Sequence, residues 1–294
     1  MKYMDVKSAS EKWGITPRRV RILCNDGRID GAVRNGWSWV IPIDTPKPGD
    51  GRALRRFKSL DIRLGSIDVD SLDELKKQTS LIAYFNSPYY DYLLSKTISF
   101  LFLLEGSEIE SRDVLTVLKG ELCYNLSLEN HLLIVNFASL LRDLGEKKGK
   151  WDIGEEKRVY SLLMRGIERT DGSVKDDYIE KNGEKISIKD SLETIMNQYD
   201  SSWSNLNSVV SALLLSGEVL RIKPYSRHLI FFCYLLLAGE LFRGGYIAPS
   251  FPLSSINEAK AAFALIVTKG IYVDMTSFIE RVLQNTYGEI KRNV

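Results

Sequence analysis

Cysteine and histidine are scarce in this sequence, and no apolar stretch is long. Three cysteines, Cys24, Cys123 and Cys233, stand far apart with no CxxC pair, and only His131 and His228 could join them. That shortage argues against a zinc site or a disulfide framework, so neither a metal nor a resident cofactor is expected. Leu229 to Gly239 is the longest apolar run, about 11 residues against the roughly 20 a membrane helix needs. The first residues hold no apolar signal region. A soluble cytoplasmic chain with no membrane partner is the expectation. Two histidines leave few candidates for a Ser-His-Asp triad, no P-loop or dinucleotide fingerprint occurs, and Gly244-Gly245 fits a helix stop. His131 follows Glu129-Asn130, where helix capping is the ordinary role, and Cys123 and Cys233 fall in apolar helical stretches that should bury them.

What is present is enough apolar content for a core, 44% of 294 residues, in one large domain or two. The net charge of +2 hides an asymmetry. Residues 1–60 hold 13 Lys and Arg against 6 Asp and Glu, a balance of +7, and the remainder carries −5. The two ends therefore face different electrostatic partners.

Near the N-terminus, Val6, Ala9 and Trp13 share one helical face, Gly14 ends that helix, and Thr16-Pro17 reads as N-cap and first position of the next. The second helix, Pro17 to about Asn25, buries Val20 and Leu23 and projects Arg18, Arg19 and Arg21 outward. Two short helices about a glycine turn make a helix-turn-helix. In "RIDGAVRNGWSWVIP", Asp30-Gly31 and Asn35-Gly36 separate short apolar runs, a hairpin signal that predicts a wing. Trp13 and Trp39 are expected in the core, and Trp37 is ambiguous.

"DTPKPGDGRALRRFKS" gathers turn formers and basic residues and reads as a linker over 46–71. From Leu72 onward helical periodicity dominates, with runs at Leu81–Leu94, Ile98–Leu104, Val114–Leu122, His131–Leu144, Glu155–Ile167, Ile188–Gln198, Leu206–Arg221, Leu229–Phe242, Ile256–Thr268 and Met275–Gln284. Only Asn182-Gly183, within "SVKDDYIEKNGEKISI", signals a further hairpin. The fold class is thus mainly α: a small winged module at 1–45 and an all-α domain at 72–294 carrying one short β-hairpin.

The segment "MDVKSASEKWGITPRRVRILCNDGRIDGAVRNGWSWVIP" resembles the winged helix-turn-helix of the excisionase and MerR-type families, down to the closing Trp39-Val40-Ile41-Pro42. The resemblance implies double-stranded DNA as partner, with Arg18, Arg19 and Arg21 toward the major groove and Arg34 toward the backbone beside the wing. Lys12 and Arg28 extend the same positive face. Arginine grips phosphate and pairs with guanine edges.

Residues 72–255 resemble the Fic family of nucleotidyl transferases, whose defining motif is HPFxxGNGRxxR. "RIKPYSRHLIFF" occupies that place, between "VVSALLLSGEVL" and "CYLLLAGELFRGGYIAPSF". "LLEGSEIESRDVLTVLKGE" looks like the family's segment with a regulatory Glu, here Glu105, and "RVYSLLMRGIERTDGSVKDDYI" like its approach to a substrate-positioning hairpin. The chemistry departs from the pattern. Lys223 stands where the family's catalytic His would be, and an ordinary lysine ammonium has no lone pair with which to take a proton. The GNGR glycines are missing, Gly172-Ser173-Val174-Lys175 replaces a Gly-x-x-Arg turn, and Leu101 replaces a Ser or Thr before Glu105. Lys223 and Arg227 are degenerate catalytic positions, so no catalytic residue is assigned and Glu105 is expected to be a helix-terminal remnant. Arg221, Lys223, Arg227 and His228 remain as a candidate anion cluster, set against solvated residues around a turn.

The sequence thus points to a DNA-binding transcriptional regulator whose Fic-like domain has lost nucleotidyl transfer and serves dimerisation, sensing or binding of a protein partner. Two alternatives stand beside it. One is an active or altered transferase acting on a protein hydroxyl, and the other is a toxin-antitoxin or phage-defence component.

Overall fold

Asp5 accepts the Ser8 amide at 2.8 Å and so opens the first helix, α1 (Val6–Trp13), which Gly14 closes at φ +64°. Thr16 Oγ1 accepts the Arg19 amide at 3.3 Å and opens α2 (Pro17–Asn25). This computed structural model describes residues 3–25, 29, 31–35, 38–45, 65–181 and 184–292. Arg28, Trp37, the turn residues Asp30 and Gly36, the Asn182-Gly183 turn and the basic stretch 46–64 lie outside the described residues.

The chain divides into two units, residues 1–59 and 60–294. In the first, β2 (Val33–Asn35) and β3 (Ser38–Pro42) pair antiparallel, with Arg34 opposite Trp39. A strand that periodicity does not announce, β1 (Tyr3–Asp5), pairs with the other edge of β3, Met4 opposite Ile41. The three-residue alternation of exposed Tyr3, buried Met4 and exposed Asp5 is too short to read unaided. Met4, Val6, Ala9, Trp13, Val20, Leu23 and Ile41 form this unit's core, and Trp39 packs half-buried against it.

Among the described residues, the regular structure of the second unit is helical except for one hairpin. Its first helix, α3 (Val69–Gln78), starts inside the stretch expected to be linker, because Asp68 accepts the Ser71 amide and Leu72 is buried. The run expected from Leu81 to Leu94 is two helices, α4 (Leu81–Phe85) and α5 (Tyr90–Leu104), since the residue before Pro88 disfavours helical geometry. Next come α6 (Ser111–Leu118), α7 (Leu128–Lys147) and α8 (Ile153–Leu163). Strands β4 (Tyr178–Lys181) and β5 (Glu184–Ser187) pair antiparallel and lead into α9 (Ile188–Ser201).

The remaining helices are α10 (Ser208–Ile222), α11 (Leu229–Arg243), α12 (Ile256–Lys269) and α13 (Val273–Arg292). Every residue from Phe231 to Phe242 is buried, so α11 is the central rod of the unit, with α10, α7, α5 and α8 around it. Two buried glutamates on these helices are neutralised locally. Glu240 takes Tyr199 Oη at 2.7 Å and the Arg243 guanidinium, and Glu218 takes Tyr272 Oη at 2.7 Å and Arg221 Nη1 at 2.8 Å. Among the described residues no helix is long and apolar enough to cross a membrane.

Two expectations need correction here. Cys123 is buried, as expected, but in the loop between α6 and α7 rather than in a helix. His131 does not cap α7; Ser127 does, and His131 Nε2 accepts the Cys123 amide at 3.0 Å, tying that loop to the helix.

Candidate functional site

Residues 223–228 join α10 to α11 and coincide with the degenerate motif. Lys223 caps α10 in the left-handed conformation, φ +49°, and its side chain is exposed. Pro224 is buried and its carbonyl accepts the Lys175 amide at 3.0 Å. Tyr225 turns inward. Its ring stacks on Tyr160 with centroids 3.5 Å apart and meets Phe232 edge-on, and its hydroxyl oxygen lies within hydrogen-bond distance of both Glu156 Oε1, at 2.7 Å, and the Gly172 carbonyl, at 2.9 Å. Glu156 is fully buried, its Oε2 has no partner among the described residues, and burial pushes its pKa up to about 7. Burial also raises the Tyr160 phenol to about 12 and the Tyr225 phenol further.

The start of α11 is crowded with carboxylates. His228, left-handed at φ +48°, gives the helix no cap of its own. Glu105, at the end of α5, supplies one from afar: its Oε1 accepts the Ile230 amide at 3.0 Å, and its Oε2 lies 3.0 Å from His228 Nδ1. Glu129, in the first turn of α7, reaches His228 Nε2 at 3.2 Å and pairs with Arg227 Nη2; its hydrogen bond from Arg227 is the main cause of a depressed pKa. Glu168 stands 3.9 Å from Arg227 Nη1, and Tyr160 Oη donates to the Arg227 carbonyl at 3.2 Å. A helix N-terminus is a natural anion site, and here the chain's own carboxylate fills it.

Of the four residues considered for anion binding, the structure brings only Arg227 and His228 together, and both face carboxylates. Arg221 points elsewhere, to Glu218, and Lys223 is exposed beyond the turn. Glu105 is helix-terminal as expected but is no idle remnant, since it holds the next helix by its N-terminus. Glu129 and Glu156 carry no signal in the sequence, being two among 38 acids with no motif around them, and Glu168, although inside the family-like segment 158–179, is not marked there as a site residue.

In the first unit, Arg18 and Arg21 are exposed on α2, whereas Arg19 lies to the side and is half-buried. Arg34 is exposed on β2, and Lys12 donates to the Ile43 carbonyl at the end of β3. Among the described residues none of Arg18, Arg19, Arg21 or Arg34 has a carboxylate partner.

No family model and no curated protein matches the sequence. Solved structures do match. Fic-1 of C. elegans is similar at TM-score 0.62 and 13% identity, over 76% of this chain and 70% of that one. A Fic domain containing signaling protein from Bacteroides thetaiotaomicron gives 0.56 and 14%, over 83% of this chain and 98% of that one. The chain contains a Fic-like helical domain. A Fic family protein from Desulfovibrio desulfuricans agrees, at 0.54 and 13%, over 75% and 72%. At these identities the likeness concerns the fold, and the chemistry of this Fic-like domain has to be argued from its own residues.

Proposed function

We propose that this chain is a DNA-binding regulator in which residues 1–45 form a winged helix-turn-helix reading head and the Fic-like domain performs no nucleotidyl transfer. The observation that carries the proposal is the outward side of α2, where Arg18 and Arg21 stand exposed without a carboxylate partner among the described residues. Unneutralised arginines on a helix narrow enough for a major groove are the footprint of a nucleic-acid contact. Loss of transfer is supported by the α11 N-terminus. Lys223 offers no base, no glycine turn presents amides to a phosphate, and Glu105 holds the Ile230 amide. An incoming nucleotide would meet carboxylates where it needs cations.

The Fic-like domain then serves as the body that pairs two heads or receives a protein partner. A single short head makes few base contacts, and a second head on a partner copy supplies the missing affinity and half-site spacing. Light scattering of the full chain should give twice the chain mass without DNA, and twice the chain mass plus one duplex with it; one chain in both conditions contradicts pairing.

Genomic DNA fragments retained by the full chain and then sequenced test the main claim. Fragments sharing a motif are expected, along with no transfer of label from ATP to the chain or to lysate proteins. Transfer of label that disappears in Lys223→Ala would overturn the loss of transfer and favour an enzyme acting on a protein hydroxyl.

A further inference from the structure

The buried side of α2 fixes its opposite side. Val20, Leu23 and Cys24 face the core of the first unit. At 3.6 residues per turn, Arg18, Ile22 and Asn25 fall within an arc of about 60° directly opposite. All three are exposed, Ile22 to 36%. Arg21 borders this row on one side, and half-buried Arg19 borders it on the other. Among the described residues, the isoleucine between an arginine and an asparagine on the outward row is neither in the core cluster of its unit nor packed against it. Its place needs another explanation.

We propose that Arg18, Ile22 and Asn25 are the base-reading row of α2, and that Arg19 and Arg21 flank it as phosphate contacts. The inference rests on the DNA-binding function proposed above. Seven residues of helix rise about 10 Å, which matches about three base-pair steps of roughly 3.4 Å. Along that length the row offers three different chemistries. The Arg18 guanidinium suits guanine O6 and N7, the Ile22 side chain suits the thymine 5-methyl group, and the Asn25 amide suits adenine N6 and N7. The ligand is therefore a duplex half-site in which one G·C pair and two A·T pairs fall, in that order, within the roughly four base pairs that three steps span under α2. Lys12 is excluded from the row, because its ammonium is held by the Ile43 carbonyl.

The test starts from a randomised duplex library selected on the full chain. Each thymine of the selected duplex is then replaced singly by deoxyuracil, which removes only the methyl group. At one position wild type should lose about 3- to 10-fold in affinity, Ile22→Val should keep that sensitivity, and Ile22→Ala should bind the thymine and uracil duplexes alike. Asn25→Ala should relax the preference at the adjacent A·T pair, while Arg21→Ala should weaken all duplexes evenly and lower the salt slope by about one. These side chains are exposed, so the changes leave the core intact. A uracil effect of equal size in wild type and Ile22→Ala, or no uracil effect anywhere, overturns the row. Retention of duplexes without any shared sequence overturns it too and leaves DNA binding standing, whereas no retention at all removes both.

Discussion

The Tyr225 hydroxyl ties the inter-helix loop to two places at once, Glu156 on α8 and the Gly172 carbonyl, and each partner makes a distinct expectation. Glu156 is fully buried and its folded pKa is raised from 4.5 to about 7. The folded state thus binds this proton more tightly than the unfolded chain does. Its stabilising effect is complete below about pH 4.5, declines as pH rises toward 7, and is gone above it. The span corresponds to about 3 kcal/mol. Glu156→Gln cannot ionise, so its stability relative to wild type should rise between about pH 5 and about pH 8 in urea unfolding. A constant difference across that range would contradict the buried-carboxyl argument. Gly172 is the second case. It sits at φ +79°, and a Cβ there would lie 2.2 Å from the Lys157 carbonyl oxygen, a backbone atom with no room to move. Gly172→Ala should cost more than about 3 kcal/mol and lower the thermal midpoint accordingly. A near-native midpoint would show that this turn is softer than its geometry.

At the scale of elements, α11 depends on a residue far away in the chain. It is the most buried helix of the Fic-like domain, yet its own sequence provides no side-chain cap. Glu105 provides it instead, and Glu105→Ala should cost about 1 to 2 kcal/mol and speed amide exchange in the first turn of α11. Unchanged exchange at Ile230 would mean that the amide has another acceptor. This cap was not legible in the sequence, because nothing local links Glu105 to Ile230; only the folded packing of α5 against α11 does. The helices themselves were largely legible, since apolar periodicity, Asp and Ser caps and glycine stops act within a few residues. Boundaries went astray where a single residue decides them, as at Asp68, which starts α3 within the expected linker, and at Pro88, which splits one expected run. Strand β1 escaped notice because three residues show too little alternation to betray a pairing partner that lies far along the chain.

The whole molecule joins a small unit, whose Arg18, Arg21 and Arg34 have no carboxylate partner among the described residues, to a Fic-like helical domain in which carboxylates gather at the N-terminus of α11. The helical domain was readable through segments in the family's order, while the carboxylate cluster was not, because Glu105, Glu129 and Glu168 come from three separate parts of the chain. Within the first unit, the outward arginines were readable from helical period alone, and the structure refines them by setting Arg19 aside from Arg18 and Arg21. The decisive measurement is fluorescence anisotropy of the full chain on its selected DNA fragment at about 50 mM and about 200 mM salt, beside an Arg18→Ala/Arg19→Ala/Arg21→Ala variant. Wild type should lose more than about tenfold in affinity between the two salts, and the variant should bind weakly with a salt slope shallower by about two, one for each of the phosphate contacts Arg19 and Arg21. Equal binding and equal salt slopes for both proteins would contradict a DNA-reading role for α2.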